Sequence, residues 1–322
     1  MIATVTLSPC IDRTMFVDGY RHGGTNRAVL VRDDPAGKGI NVSAALINLG
    51  FLSICLGFNY NDNGHVIEGF LNGLGIPHSF INVPGAVRTN IKVLERDTQT
   101  MTEINTYGTY VPPGSVDLLL ESISMPEIEL LVLSGGYPRG VDEDIYRRII
   151  EGADAPVILD ATGESLLLGL QASRNKPFMV KPNLQELEST FNKKFGTHIE
   201  IVDFCRRAII MEYGVKMVCT SLDKDGAILV GEREAYYAPG LPLVVRGAQG
   251  AGDSLVAGFV YGLMQTVMPG KRFSLPNDIP YKEFLRCAIA AASASVIREG
   301  TLMCTKKDFD MMQNRVIVEP LG

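Results

Sequence analysis

The stretch Gly250-Ala251-Gly252-Asp253-Ser254-Leu255-Val256-Ala257-Gly258-Phe259-Val260 joins a run of small residues to a helical pattern. Leu255, Val256, Phe259, Val260 and Leu263 recur near i, i+3 and i+4, which predicts a helix opening at the aspartate. Small residues at a helix N-terminus leave backbone N–H groups uncovered. Those free donors and the helix dipole together favour an anion there. An aspartate beside such a cradle would repel a phosphate unless it had a task, and the fitting task is to take a proton from a hydroxyl that attacks phosphorus. The competing reading is an Asp N-cap behind a tight glycine turn, and the local sequence favours the cap.

Outward from this stretch, short β-rich runs alternate with helical patterns. Buried strands are expected at 53–58, 130–134, 156–160, 177–181 and 215–220, after a first strand at the N-terminus. Helical patterns fall at 40–49, 64–74, 142–152, 184–194 and 201–213. Such a series implies an α/β fold with a mainly parallel sheet covered on both faces. Two segments break the rhythm, at about 12–34 and 86–110, with short extended runs and no helix. They predict a small separate sheet that must bury one face, over the active site as a lid or against a second subunit.

Composition removes several function classes. The 322 residues carry a net charge of −6 and are 46% hydrophobic, which suits a soluble protein with a large core and offers no footprint for nucleic acid. The six cysteines form no Cys-x-x-Cys pair and the four histidines have no ligand spacing, so reduced thiols and no zinc site are expected. No apolar run reaches membrane-spanning length and the N-terminus reads as a strand, so a cytoplasmic location is expected.

In parallel sheets ligands bind beyond the carboxyl ends of the strands, so residues there are the candidates. Asp12 follows the first strand, and Gly37-Lys38-Gly39-Ile40-Asn41 opens a helix with small residues that permit close backbone approach. Asn183 and Glu186, three apart on a first helical turn, could both face a cation; taken alone, the pair is better read as a capping box. Ser221 ends the next strand. There is no Gly-x-Gly-x-x-Gly after the first strand, and Gly39 stands where a P-loop needs Ser or Thr. Gly252-Asp253-Ser254-Leu255 spells a serine-esterase tetrapeptide, but every histidine precedes it, leaving Ser254 without a base.

Gly37-Lys38-Gly39-Ile40-Asn41, Asn183-x-x-Glu186 and Gly250-Ala251-Gly252-Asp253-Ser254, in this order, resemble the signatures of the ribokinase-like (PfkB-type) carbohydrate kinases. Arg88-Thr89-Asn90-Ile91-Lys92, Thr25-Asn26-Arg27-Ala28 and Ser134-Gly135-Gly136-Tyr137-Pro138 resemble the branch that acts on sugar phosphates, the 1-phosphofructokinases and tagatose-6-phosphate kinases. The resemblance covers nearly the whole chain. It implies a single domain over residues 1–322, a three-layer α/β/α sandwich with a β-sheet lid. It also implies ATP as co-substrate, Mg²⁺, and a ketohexose monophosphate acceptor, with fructose 1-phosphate first and tagatose 6-phosphate second. A sugar-phosphate-binding protein without kinase activity is the third expectation.

The implied roles follow the matching positions. Asp253 would be the base, and the amides of Gly250, Ala251 and Gly252 would neutralise the transferring phosphoryl. Asn183 and Glu186 would organise Mg²⁺. Asp12, Gly37, Gly39 and Asn41 would hold the sugar, while Arg27, Arg88 and Lys38 would meet its phosphate. Ser221 and Gly226 would contact ATP, and the lid would clasp a second copy. This chain departs from the pattern at Ser8, Ala36, Gly136 and Asp223, and above all at Arg246-Gly247-Ala248-Gln249.

Overall fold

The computed structural model describes residues 1–247, 249–267, 275–276, 278–300 and 302–321. Its strands in chain order are β1 (Ile2–Thr6), β2 (Cys10–Val17), β3 (Ala28–Ala36), β4 (Ser53–Tyr60), β5 (His78–Val83), β6 (Arg88–Glu95), β7 (Thr100–Ile104), β8 (Leu130–Ser134), β9 (Val157–Asp160), β10 (Pro177–Val180), β11 (Met217–Ser221), β12 (Ala227–Gly231), β13 (Ala235–Ala238) and β14 (Glu319–Pro320). The α-helices are α1 (Lys38–Asn48), α2 (His65–Gly73), α3 (Pro113–Ile123), α4 (Ile145–Gly152), α5 (Gly163–Leu170), α6 (Leu184–Phe191), α7 (His198–Cys205), α8 (Ala251–Met264), α9 (Tyr281–Val296) and α10 (Lys306–Gln313).

Among the described residues a ten-stranded sheet runs β14-β13-β12-β11-β10-β9-β8-β1-β4-β5. From β5 to β11 all neighbours are parallel, and β12 to β14 add an antiparallel edge that the sequence reading did not foresee. The parallel strands read as unbroken apolar runs (Leu-Leu-Val-Leu in β8, Val-Ile-Leu in β9) because both their faces are covered. From β1 the chain crosses through α1 to β4 on one side, while from β8 it crosses through α4 to β9 on the other. Right-handed crossovers in opposite directions put α1 and α4 on opposite faces, which gives three layers. Helices α1, α8, α9 and α10 pack together in one layer, and α3 to α6 in the other.

The order of strands reverses between β1 and β8, which is where a crevice opens in such sheets. Over that crevice stands a four-stranded sheet, β3-β2-β6-β7, formed by the two segments that broke the helical rhythm. Its pairing of β2 with β6 is parallel, Asp12 opposite Asn90 and Thr14 opposite Lys92. Asp12 therefore belongs to a lid strand and not to the turn after β1. The helical pattern at 201–213 resolves into α7 and a π-helical turn over Arg206–Met211.

Candidate active site

Helix α8 begins earlier than its apolar pattern suggested. Its N-cap is Gly250 with φ 73, a left-handed conformation open to glycine, and no side chain caps it. Asp253 thus lies inside the first turn and is not the N-cap, which removes the local reading that the sequence favoured. The first-turn amides point into a cavity of about 860 Å³ lined also by Asp160, Lys181, Asn183, Glu186, Ser221 and Gly226. Ser254 points away: its Oγ is fully buried, 2.6 Å from Ser295 Oγ, so it packs α8 on α9 and is no nucleophile.

A second cavity, of about 230 Å³, lies beneath the lid at the β1/β8 reversal. Asp12, Gly37, Lys38, Asn41 and Arg88 line it, together with Asn90, Lys92 and Ser134. The two cavities meet where Lys38 lines both and where Asn41 Nδ2 donates to Asp253 Oδ2 at 2.8 Å. Asp253 is 6% exposed. Burial and then the neighbouring Asp160 charge push its carboxyl up from 3.8 to about 6, against the pull of Lys38, Asn41 and Lys181. A carboxylate poised there accepts a proton near neutral pH without being tied up as an ion pair.

Below Asp253 is a buried charge cluster. Asp160 ends β9, and its Oδ1 lies 2.9 Å from Lys181 Nζ, its Oδ2 3.4 Å from Lys38 Nζ. Burial opposes the Asp160 charge, but Lys181 and Lys38 outweigh it and hold the carboxyl below its ordinary range. The Asp160 charge in turn raises Lys38. Lys181 Nζ would sit 3.7 Å from a Cβ on Gly252, so the cation faces the amide cradle at the head of α8.

Asn183 and Glu186 form the capping box of α6: Asn183 Oδ1 accepts from the Glu186 amide at 2.7 Å, and Glu186 Oε2 accepts from the Asn183 amide at 2.8 Å. The second Glu186 oxygen is left for the cavity. Gly39 has a structural cause, since a Cβ there would lie 2.7 Å from the Val5 carbonyl oxygen; it lets α1 press against β1 and does not line the smaller cavity. Arg27 is exposed just before β3 and lines neither cavity of the single chain.

Several site-lining residues escaped the sequence reading. Asp160 and Lys181 stand at the ends of apolar strands, a position that could have marked them. Asn90 and Lys92 were visible only as members of a motif. Ser134 Oγ and Arg88 Nε are buried without a hydrogen-bond partner, and both belong to residues lining the smaller cavity. Orphaned polar atoms of this kind await a polar ligand.

The departures also find places. Asp223 keeps a glycine-like backbone, φ 52, which aspartate tolerates better than most residues. Gly247 packs so closely on the Arg298 and Gly300 carbonyls that a Cβ would lie 2.8 Å from each. Arg246 is exposed, Gln249 Nε2 lies 3.5 Å from Glu103 Oε1 on the lid, and Ala248 lies outside the described residues.

Known proteins resemble this chain over nearly its whole length. The family model of the pfkB carbohydrate kinases matches residues 5–308. The chain belongs to the pfkB family of carbohydrate kinases. It is 33% identical over 303 residues to the 1-phosphofructokinase of Bacillus subtilis, covering 93% of each chain. In fold it is similar to phosphofructokinase-2 of Escherichia coli, with a TM-score of 0.86, 24% identity and 98% of each chain covered. It is also similar to the ribokinase of Thermotoga maritima, with a TM-score of 0.75, 21% identity, and 98% and 99% covered. The three-layer ribokinase-like fold expected from the signatures is the one observed, and ATP is the co-substrate expected of a pfkB kinase. Among the described residues no helix is long and apolar enough to cross a membrane.

Proposed function

We propose that this pfkB kinase transfers the γ-phosphoryl group of ATP to the 6-hydroxyl of fructose 1-phosphate, giving fructose 1,6-bisphosphate and ADP. The observation that carries this reading is the seam between the cavities, where Asp253 on the larger one accepts from Asn41 on the smaller and is held at about 6. The larger cavity takes the nucleotide, lined by apolar Leu241, Leu243, Val245 and Ile289 together with the amide cradle. The smaller takes the acceptor. Its size suits one hexose, and Arg88, Lys38 and Lys92 give it three cations. The unpartnered Arg88 Nε is a donor for the phosphate the sugar already carries. The 33% identity to a 1-phosphofructokinase supports the choice of sugar.

In the reaction the acceptor oxygen attacks the γ-phosphorus in line and its proton passes to Asp253, which later releases it to water. The Gly250–Gly252 amides at the head of α8 face the charge that builds on the equatorial oxygens. Lys181, fixed by Asp160, adds a positive charge on the same side. Asp12 and Asn41 orient the sugar hydroxyls.

A magnesium ion fits the residues present. Among the described residues no cluster of His, Cys, Asp or Glu could hold a metal alone, so the nucleotide phosphates would supply most ligands. The free Glu186 oxygen, and Asn183 beside it, would hold the ion's water shell. Bound there, the ion would neutralise charge on the phosphates.

The exposed outer residues Val29, Val31 and Ile104 make the lid a surface for pairing with a second copy. We place the enzyme in the cytoplasm as a homodimer through this sheet. Light scattering tests the assembly, and a monomer at micromolar concentration would remove it. ADP release measured across a panel of sugar phosphates tests the activity. Fructose 1-phosphate is expected to give the highest kcat/KM. A higher value for tagatose 6-phosphate would reassign the acceptor, and a higher value for an unphosphorylated sugar would sink the phosphate-binding role of Arg88.

A further inference from the structure

Lys92 is 5% exposed, a degree of burial that lysine reaches almost only when paired. It sits on lid strand β6, and its Nζ lies 2.6 Å from Asp12 Oδ2 on β2. The other Asp12 oxygen accepts from Asn90 Nδ2 at 2.9 Å, and Asn90 Oδ1 accepts from Arg88 Nη1 at 3.0 Å. Arg88, Asn90 and Lys92 are spaced by two, so one face of a single strand carries all three. All three, with Asp12, line the acceptor cavity.

We infer that Lys92 is a positioning residue for acceptor recognition: acting through Asp12, it fixes the carboxylate plane and neutralises its charge beside the acceptor's phosphate. The inference rests on the kinase reading above and extends it to the residue that holds Asp12 in place. A carboxylate with one rotatable plane and no partner would turn between orientations. Two donors from β6 hold it, and its remaining lone pairs face the cavity for sugar hydroxyls. The charge matters equally. In a cavity this small, a bare carboxylate would repel the phosphate that Arg88 attracts. Strand β6 thereby spaces the phosphate end of the pocket from its hydroxyl end, with Asn90 as the link between Arg88 and Asp12.

The test is steady-state kinetics on the whole protein with fructose 1-phosphate and ATP. Lys92→Met is expected to raise the KM for fructose 1-phosphate about tenfold or more, as loss of a charge-assisted hydrogen bond does. The KM for ATP and kcat should stay within about threefold, because the lost binding is uniform between ground and transition states. In an Asp12→Asn background the same substitution should cost less than about twofold, since the carboxylate it serves is gone. An unchanged acceptor KM, a parallel rise in the KM for ATP, or equal losses in both backgrounds would overturn the inference. If Lys92→Met does not fold, Lys92→Gln and the double variant Asp12→Asn/Lys92→Met leave a donor or remove both charges, and they read the same split. Parent enzyme that turns over fructose 1-phosphate beside a variant of unchanged KM removes the clamp alone. Parent enzyme active only on an unphosphorylated sugar removes the acceptor reading, and the clamp is then read on that sugar's KM.

Discussion

Replacing Asp253 by asparagine should make the protein more stable and nearly inactive. The native carboxyl titrates at about 6 instead of 3.8, so the folded state holds its proton more tightly than the unfolded chain does. Between those two values the native protein binds more protons, and stability from this group falls as pH rises. Below about pH 4 the carboxyl is neutral in both states and costs nothing. Above about pH 6 the full cost of ionising it in the interior is present. A difference of this size corresponds to about 3 kcal/mol at 1.36 kcal/mol per pH unit. Asparagine keeps an oxygen for Asn41 Nδ2 but brings an amide that needs an acceptor, which offsets about 1 kcal/mol or more, so a gain of about 1–2 kcal/mol is expected at pH 7.5. Urea unfolding of parent and variant at pH 7.5 and pH 4 measures it, and the gap should close at the lower pH. Turnover of the variant should drop about 10²- to 10⁴-fold with the base removed. A variant no more stable than the parent at pH 7.5, or a gap equal at both pH values, would refute the buried, charge-strained carboxyl. Turnover that survives would refute its role as base.

Other perturbations have equally definite outcomes. The acid limb of kcat/KM for the acceptor should fall below about pH 6, and Asn41→Leu should move it upward, because the lost hydrogen bond favours the ionised form. Arg88→Met should raise the KM for a phosphorylated acceptor about 10- to 100-fold and leave that for ATP unchanged. Gly250→Ala forces a side chain onto a left-handed residue and puts its Cβ 2.4 Å from Met303 Cε. It should lower kcat by disturbing the amide cradle and cost at least about 1 kcal/mol of stability by thermal unfolding.

Much of this site was legible because its elements are local. A glycine able to turn the chain, an apolar helical repeat after it and a carboxylate between them are properties of consecutive residues. The same holds for Gly37 to Asn41 at the head of α1 and for the capping box of Asn183 and Glu186. Strand-end placement then marked Ser221, and the two interruptions marked the lid. Where local evidence was balanced, it leaned the wrong way. Asp253 read as a cap because the apolar period starts after it, whereas the helix starts at Ala251, once Gly250 has taken its left-handed turn.

The alternation of strands and helices, the parallel sheet and the three signature segments follow from the sequence, because periodicity, turn chemistry and residue size act over a few positions. Tertiary structure decided which charges meet. Asp160 and Lys181 are 21 positions apart and Asp12 and Lys92 are 80 apart, yet each pair lies within hydrogen-bond reach. The raised carboxyl of Asp253 is likewise a property of the fold, since desolvation and the field of Asp160 exist only once the sheet has closed around them. Nothing local to Asp253 encodes either force, which is why Asp253 could be proposed as a base from the family resemblance but its proton affinity could not be read from the sequence.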